Sequence, residues 1–147
     1  MPTPSAIRIV LGTWERLRDD AYAVRHEVFV AEQGVPADIE LDDDDPVAVH
    51  AVAYDDDGAP VGTGRLLPDG HIGRMAVRKA ARGGGVGGQV LEALITQGHG
   101  DGHRLLLLHA QTHARHFYEA HGFTAQGEEF VEAGIPHVAM SRALAGV

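Results

Sequence analysis

The stretch Val77–Gly88, V-R-K-A-A-R-G-G-G-V-G-G, sets five glycines between Gly83 and Gly88, behind an apolar strand and ahead of an amphipathic helix. Glycine lets the backbone approach a ligand closely, and a helix start offers unpaired N–H groups and the positive end of its dipole. Such a segment is built to hold an anion, and phosphate is the natural one. Arg74, Arg78, Lys79 and Arg82 are four of only twelve basic residues and crowd this loop, although the chain carries a net charge of -9. A basic patch on an acidic protein points to an anionic ligand at that spot.

Which phosphate compound is held narrows by elimination. A Walker A loop ends in Lys and Ser or Thr, whereas Gly88 is followed by Gln89-Val90, so nucleotide hydrolysis is not expected. Gly83, Gly85 and Gly88 also satisfy G-x-G-x-x-G, but the dinucleotide reading needs an acid just after the next strand. The strand Arg104–His109 is followed instead by Ala110-Gln111-Thr112. An NAD(P)-binding domain remains a third reading, separable by its ligand.

Working outward, Ile7–Leu11 reads as a short strand, and Trp14, Leu17, Ala21, Val24 and Val28 fall at helical spacing behind a Thr13 cap. Ala31–Pro46 has no steady period and reads as a loop with one short helical turn. Val47–Tyr54 and Val61–Leu67 alternate around Asp55-Asp56-Asp57-Gly58, and Pro68-Asp69-Gly70 turns the chain into His71–Val77, giving three antiparallel strands. A helix from Val86 then ends among Gly98, Gly100 and Gly102 before the apolar run Leu105–Leu108. This strand–helix–strand crossover makes the fifth strand parallel to the fourth and puts the glycine loop at a strand's carboxyl end. A helix Thr112–Ala120 closed by Gly122, and short strands near Phe123 and Val138, complete the prediction. With no repeat and no linker, a single domain over residues 1–147 is expected.

Two motifs carry a family resemblance. Arg82–Gly87 reads R-x-x-G-x-G directly after Met75-Ala76-Val77, and Ala114–Phe123 supplies A-x-x-x-Y followed by G-F at Gly122-Phe123. In this order and separation they resemble GNAT-type N-acetyltransferases. Arg25–Pro36 (R-H-E-V-F-V-A-E-Q-G-V-P), the acid-rich turn after it, Ala110-Gln111 and Gly134–His137 are similar to the ElaA-like branch, so the resemblance spans nearly the whole chain. It implies a mixed α/β (α+β) fold: a central, mostly antiparallel sheet with one parallel strand pair splayed at the acyl-CoA cleft, flanked by helices. It also implies acetyl-CoA as donor, with the backbone of Met75, Ala76 and Val77 pairing with the pantetheine arm. Arg82, Gly83, Gly84, Gly85, Val86, Gly87 and Gly88 would hold the pyrophosphate. Gln111 stands where many members carry Asn, and is read either as a cofactor contact or as a helix cap.

Thioester aminolysis needs a neutral amine, donors for the developing oxyanion and a proton for the departing thiolate. The resemblance puts Tyr118 beside the sulfur as general acid, since a phenol stays protonated at neutral pH. Backbone N–H groups near Met75 and Ala76 are the oxyanion donors it implies. The base stays open among Glu32, Glu40, Asp42, Asp45 and His109, the last because it ends the fifth strand and histidine titrates in the useful range. Glu32 and Asp42 are also candidates to bind an acceptor ammonium, while Arg65, His137 and His50 face the pocket by strand parity and resemblance. The expected reaction is acetyl transfer to a primary amine of a small, cationic acceptor, including aminoacyl compounds. The rival is a non-catalytic acyl-CoA-binding module that keeps the cleft without a productive acceptor site.

Composition sets the outer limits. With no Cys, any thiolate in the reaction comes from a ligand. Ten His include His113 and His116 one helical turn apart, yet no H-E-x-x-H context accompanies them, so no metal is expected. The net charge of -9 argues against nucleic acid. No apolar run of about 18 residues and no basic-then-apolar leader is found, so the expectation is a cytoplasmic protein with no membrane partner. The resemblance also admits a homodimer.

Overall fold

The computed structural model describes residues 6–36 and 42–144. A single sheet of seven strands runs in the order β1-β2-β3-β4-β5-β7-β6. Its strands are β1 (Arg8–Thr13), β2 (Val49–Tyr54), β3 (Pro60–Leu66), β4 (His71–Val77), β5 (Leu105–Gln111), β6 (Thr124–Glu132) and β7 (Ile135–Ala143). All neighbours are antiparallel except β4 and β5, which run parallel. The fold class matches the expectation from the sequence.

Helices α1 (Trp14–Arg25) and α2 (Val86–Gly100) cover opposite faces, and side-chain alternation on the strands explains how. On β2, Val52 and Tyr54 point to α1 and join Leu17 and Ala21, while Ala51 and Ala53 join Val90, Leu91 and Leu94 of α2. Leu106, Leu108 and Ala110 of β5 continue that second core toward Tyr118 and Phe123, on and just beyond α3 (Arg115–Ala120). Glycines set how closely α2 sits on β3. A Cβ on Gly64 would strike the Met75 sulfur and come within 2.9 Å of Leu94 Cδ1.

Several sequence expectations shift at their boundaries. Thr13 caps α1 as expected, its hydroxyl accepting from the Arg16 N–H at 3.3 Å. The helix does not end near Val28 but widens into a π-helical stretch, His26–Glu32, which buries Val28 against Val24 and Ala76; of the segment read as a loop with one helical turn, only Ala31 and Glu32 join that stretch, and the described remainder is irregular up to a 3-10 turn. Val47 belongs to a 3-10 turn, Asp45–Val47, rather than to β2. The strand β5 runs on past His109 to Gln111, and a 3-10 turn, Thr112–Ala114, precedes α3. The last two strands are nine residues each, not short, because β7 pairs on both sides, with β5 and with β6. Tertiary pairing, not local pattern, extends the polar segment Thr124–Glu132 into a strand.

Candidate active site

The strands β4 and β5 pair only at His71 with Leu107 and Ile72 with Leu108, then diverge. Beyond that point the β5-facing edge of β4 has no strand partner, so its ladder groups from Gly73 to Val77 are left for a ligand. A bulge sharpens the divergence. Between the pairs Thr63–Ala76 and Arg65–Gly73 the register slips, and Arg74 takes φ +50°, a rare conformation for a residue with a side chain.

The carboxyl end of β4 leads through a 3-10 turn, Lys79–Ala81, into the glycine loop. Gly83 and Gly85 adopt φ +87° and +82°, where only glycine is unstrained, and Gly85 is the N-cap of α2. The first intrahelical bond runs from Gln89 N–H to the Gly85 carbonyl at 3.1 Å, so the N–H groups of Val86, Gly87 and Gly88 face outward without helical partners. A cleft of about 490 Å³ lies over them. Of the residues expected at a cofactor, Met75, Ala76, Val77, Arg82, Gly83, Gly85, Val86, Gly87, Gly88 and Tyr118 all line it. Gly84 and Gln111 do not. Ala81, Ala114 and Phe117 complete the lining, with Phe117 3.5 Å from where a Gly87 Cβ would stand.

A second cavity, of about 910 Å³, opens on the other side of the splay, between the π-helical stretch, β4, β5 and the β6–β7 hairpin. Met75, Ala76, Val77, Arg82, Ala114 and Tyr118 line both spaces, so the two meet at the unpaired edge of β4. Tyr118 stands at this junction. Its ring packs edge-on against Phe117 and Phe123, at 5.0 and 6.1 Å between centroids. Burial pushes its phenol well above the ordinary tyrosine range, and among the described residues its hydroxyl has no hydrogen-bond partner. The phenol therefore stays protonated through the neutral range, on a residue that lines both spaces.

Residues 19–144 match the family of acetyltransferase (GNAT) domains. The chain belongs to the GNAT family. It is 41% identical over 140 residues to the uncharacterized N-acetyltransferase YjcF of Bacillus subtilis, covering 92% of this chain and 99% of that one. Among solved structures, an acyl-CoA N-acyltransferase from Pseudomonas aeruginosa superposes with a TM-score of 0.83 at 32% identity, over 94% of this chain and 100% of that chain. Escherichia coli ElaA superposes with a TM-score of 0.82 at 29% identity, over 93% and 99%. The protein is accordingly an acyltransferase.

Within this GNAT frame Asp42 and Asp45, at the two ends of the acidic turn, are held by arginines. Arg25 grips Asp45 in bidentate fashion, Nη1 to Oδ1 at 2.9 Å and Nη2 to Oδ2 at 3.0 Å, with both side chains buried. Arg65 donates from Nη1 to Asp45 at 2.7 Å and to Asp42 at 2.6 Å, and from Nη2 to Asp42 at 2.9 Å. Arg74 reaches the same Asp42 at 3.0 Å. Burial alone would raise the Asp45 carboxyl, but the two guanidiniums outweigh it and hold it below its ordinary range. Asp42 is pulled down to about 2, chiefly by the Arg65 hydrogen bonds. Both are therefore poor bases near neutral pH, since the lowered pKa weakens each as a proton acceptor and guanidiniums take up its oxygens. Asp42 and Arg65 line the acceptor-side cavity as a paired unit; Asp45 lies behind it.

The remaining candidates divide clearly. Glu32 and Arg82 form a bidentate pair at 2.7 and 2.8 Å across the cleft mouth, and Arg82 Nε also donates to the Val77 carbonyl at 3.0 Å. Gln111 holds the N-cap position of the 3-10 turn but makes no side-chain cap bond; its amide and that of Gln33 instead bond reciprocally at 2.9 and 3.2 Å, tying the end of the π-helical stretch to β5. His50 does not reach the cavity, being buried beside Trp14 with Nε2–H donating to the Asp45 carbonyl at 2.9 Å. His137 and His109 both line it, but His109 is half-exposed rather than buried, because β5 buries the alternate residues Leu108 and Ala110. Glu40 lies outside the described residues. Sequence reading missed Phe117, Gln33, His71 and Glu132. Phe117, inside the A-x-x-x-Y segment, and Gln33, inside Arg25–Pro36, carried a signal that could have found them. Among the described residues no helix is long and apolar enough to cross a membrane, and no group of three His, Asp or Glu is arranged for a metal.

Proposed function

We propose that the protein transfers an acetyl group from acetyl-CoA to a primary amine by direct attack in a ternary complex. The observation that carries this reading is the shared wall. The narrow cleft ending at the N-terminus of α2 and the larger cavity under the π-helical stretch meet beside Tyr118 and the free edge of β4. A phosphate-bearing donor laid along the first would present its thioester at the junction, where an amine entering from the second can reach it.

The chain's own groups then have distinct tasks. The outward N–H groups of α2 and the Gly83–Gly88 backbone hold the pyrophosphate. The unpaired N–H groups around Met75 and Ala76 are the donors available to a developing oxyanion. Tyr118 gives its proton to the departing thiolate; its raised pKa keeps that proton in place across the physiological range until the thiolate forms. The acidic turn favours a cation less than its composition suggests, since Asp42 and Asp45 are neutralised by arginines. Preference for a cationic acceptor rests on Asp44, the cavity carboxylate with neither an arginine nor a histidine partner among the described residues.

Thiol release from acetyl-CoA should be followed with putrescine, glycinamide, a lysine-containing peptide and taurine. Turnover of at least one amine, lost by roughly 10²- to 10⁴-fold in Tyr118→Phe with binding of CoA retained, is the expected result. A Tyr118→Phe enzyme with full turnover and an unchanged pH profile removes that role. A preference for taurine over every cationic amine removes the cationic acceptor.

A further inference from the structure

On the acceptor side of the sheet, strand alternation gathers a cluster that no part of the mechanism above uses. His109 and Gln111 of β5, His137 of β7, and Phe130 and Glu132 of β6 share one face, because Gln111 is paired with His137 and His137 with Phe130. His109 Nδ1 lies 3.1 Å from Glu132 Oε1, and the His137 ring has its Nε2 3.7 Å from the other carboxylate oxygen. Phe130 fills the space between the two imidazoles, edge-on to His109 at 5.0 Å and stacked on His137 at 6.0 Å. From β4, His71 packs edge-on to His109 at 6.2 Å. His71, His109, Glu132 and His137 all line the acceptor cavity.

We propose that His109 is the proton acceptor for the incoming amine, and that Glu132 is a positioning residue that fixes its tautomer and orientation. This rests on the acetyl-transfer reading. A carboxylate can only accept, so His109 donates Nδ1–H to Glu132 and keeps its lone pair on Nε2, which has no partner among the described residues. The bland alternative is a half-exposed ion pair of little worth. Against it, the ring is contacted at once by Glu132, Phe130 and His71, in the wall of a cavity that the buried Tyr118 also lines. His137 does not compete for the role: its Nδ1–H is committed to the Ile135 carbonyl at 2.7 Å, and its Nε2 faces Glu132.

Protons and electrons balance across the two walls. His109 Nε2 takes a proton from the acceptor ammonium, and the freed lone pair forms the C–N bond to the acetyl carbon. The C–S bond breaks with its pair on sulfur, which takes the Tyr118 proton. The tyrosinate recovers a proton from the nascent amide nitrogen, and half-exposed His109 releases its own to water.

The test uses the full chain, with ¹⁵N-histidine NMR and kinetics on the four amines named above. Both side chains are about half exposed, 46% and 48%, so substitution spares the core. Wild type should show His109 as the Nδ1–H tautomer, and Glu132→Ala should release it to the mixture seen for free imidazole. His109→Gln should lose about 10²-fold in kcat, with log(kcat/KM) rising steadily through the pH range where the wild-type profile bends. Glu132→Ala should lose about tenfold in kcat with KM kept, and Glu132→Asp should restore part of it. The groups facing His109 that could mimic the bend are His71, itself 3.0 Å from Asp69, together with Glu132 and His137. A bend that survives in His109→Gln therefore overturns the proposal. Full activity in His109→Gln beside a slow Tyr118→Phe overturns the base and leaves acetyl transfer standing. Wild type inert toward all four amines overturns both.

Discussion

The donor cleft and the acceptor cavity share one wall but are built from different material. The cleft is mostly backbone: a glycine loop, the start of a 15-residue helix and the unpaired edge of β4. The cavity is mostly side chain, drawn from the π-helical stretch, the Asp42–Asp45 turn, β4, β5 and the β6–β7 hairpin. A backbone site depends on a few local conformations and tolerates side-chain change around it. A side-chain site depends on long-range pairings, among them Arg25–Asp45, Arg65–Asp42 and Gln33–Gln111, and changes with any of them. On the proposed function, the first would bind a feature every donor of this class carries, and the second would set which acceptor enters.

The largest expected effect separates the two. Asp45→Ala leaves two buried guanidiniums without their shared carboxylate, which should cost about 3–5 kcal/mol of stability by urea melts. Because the donor cleft lies across the sheet edge, the folded fraction should still be stabilised by CoA. Loss of CoA binding in protein shown to be folded would mean the two regions are not independent. Gly85→Ala does the opposite. Its φ of +82° carries a penalty of about 1–2 kcal/mol for a residue with a Cβ, and the effect should appear as weakened CoA binding with the Arg25–Asp45 region unperturbed.

Acid sharpens the contrast further. The folded-state pKa of Asp42 is about 2 against an ordinary 3.8, so its contribution is present above the ordinary value and lost as pH falls toward 2. Hydrogen exchange between pH 4 and 2 should show the Asp42–Val47 turn opening before the N-terminal turns of α2. Uniform loss of protection would contradict this. The smallest effect is at the mouth, where Glu32 holds Arg82. Glu32→Gln should free Arg82 for the pyrophosphate and tighten CoA about two- to fivefold, the scale of an exposed ion pair. Weaker CoA binding would make Glu32 part of the donor site instead.

The same difference in material explains what could be read from the sequence. Glycines at positive φ, the Thr13 cap, the apolar period of α2 and the parallel crossover are local signals, and each appears where the residues indicated. The turn Asp42–Asp45 looked like an acidic pocket wall because the sequence does not reveal that Arg25, Arg65 and Arg74 fold onto it. Gln111 looked like a cap because its partner Gln33 lies 78 residues away. Glu132 could not be singled out at all: it reaches His109 only because β7 lies between β5 and β6 and pairs with both, the second pairing carried by a polar segment with no strand period.

The central claim is that the glycine loop, the start of α2 and the free edge of β4 form an acyl-CoA site. Thermal melting of the purified chain with acetyl-CoA, CoA and NADH tests it most directly, because a ligand at about 100 times its Kd adds roughly 2.7 kcal/mol of stability. Stabilisation by acetyl-CoA and CoA but not by NADH is the predicted result. No shift with either CoA species, or an equal shift with NADH, would contradict it.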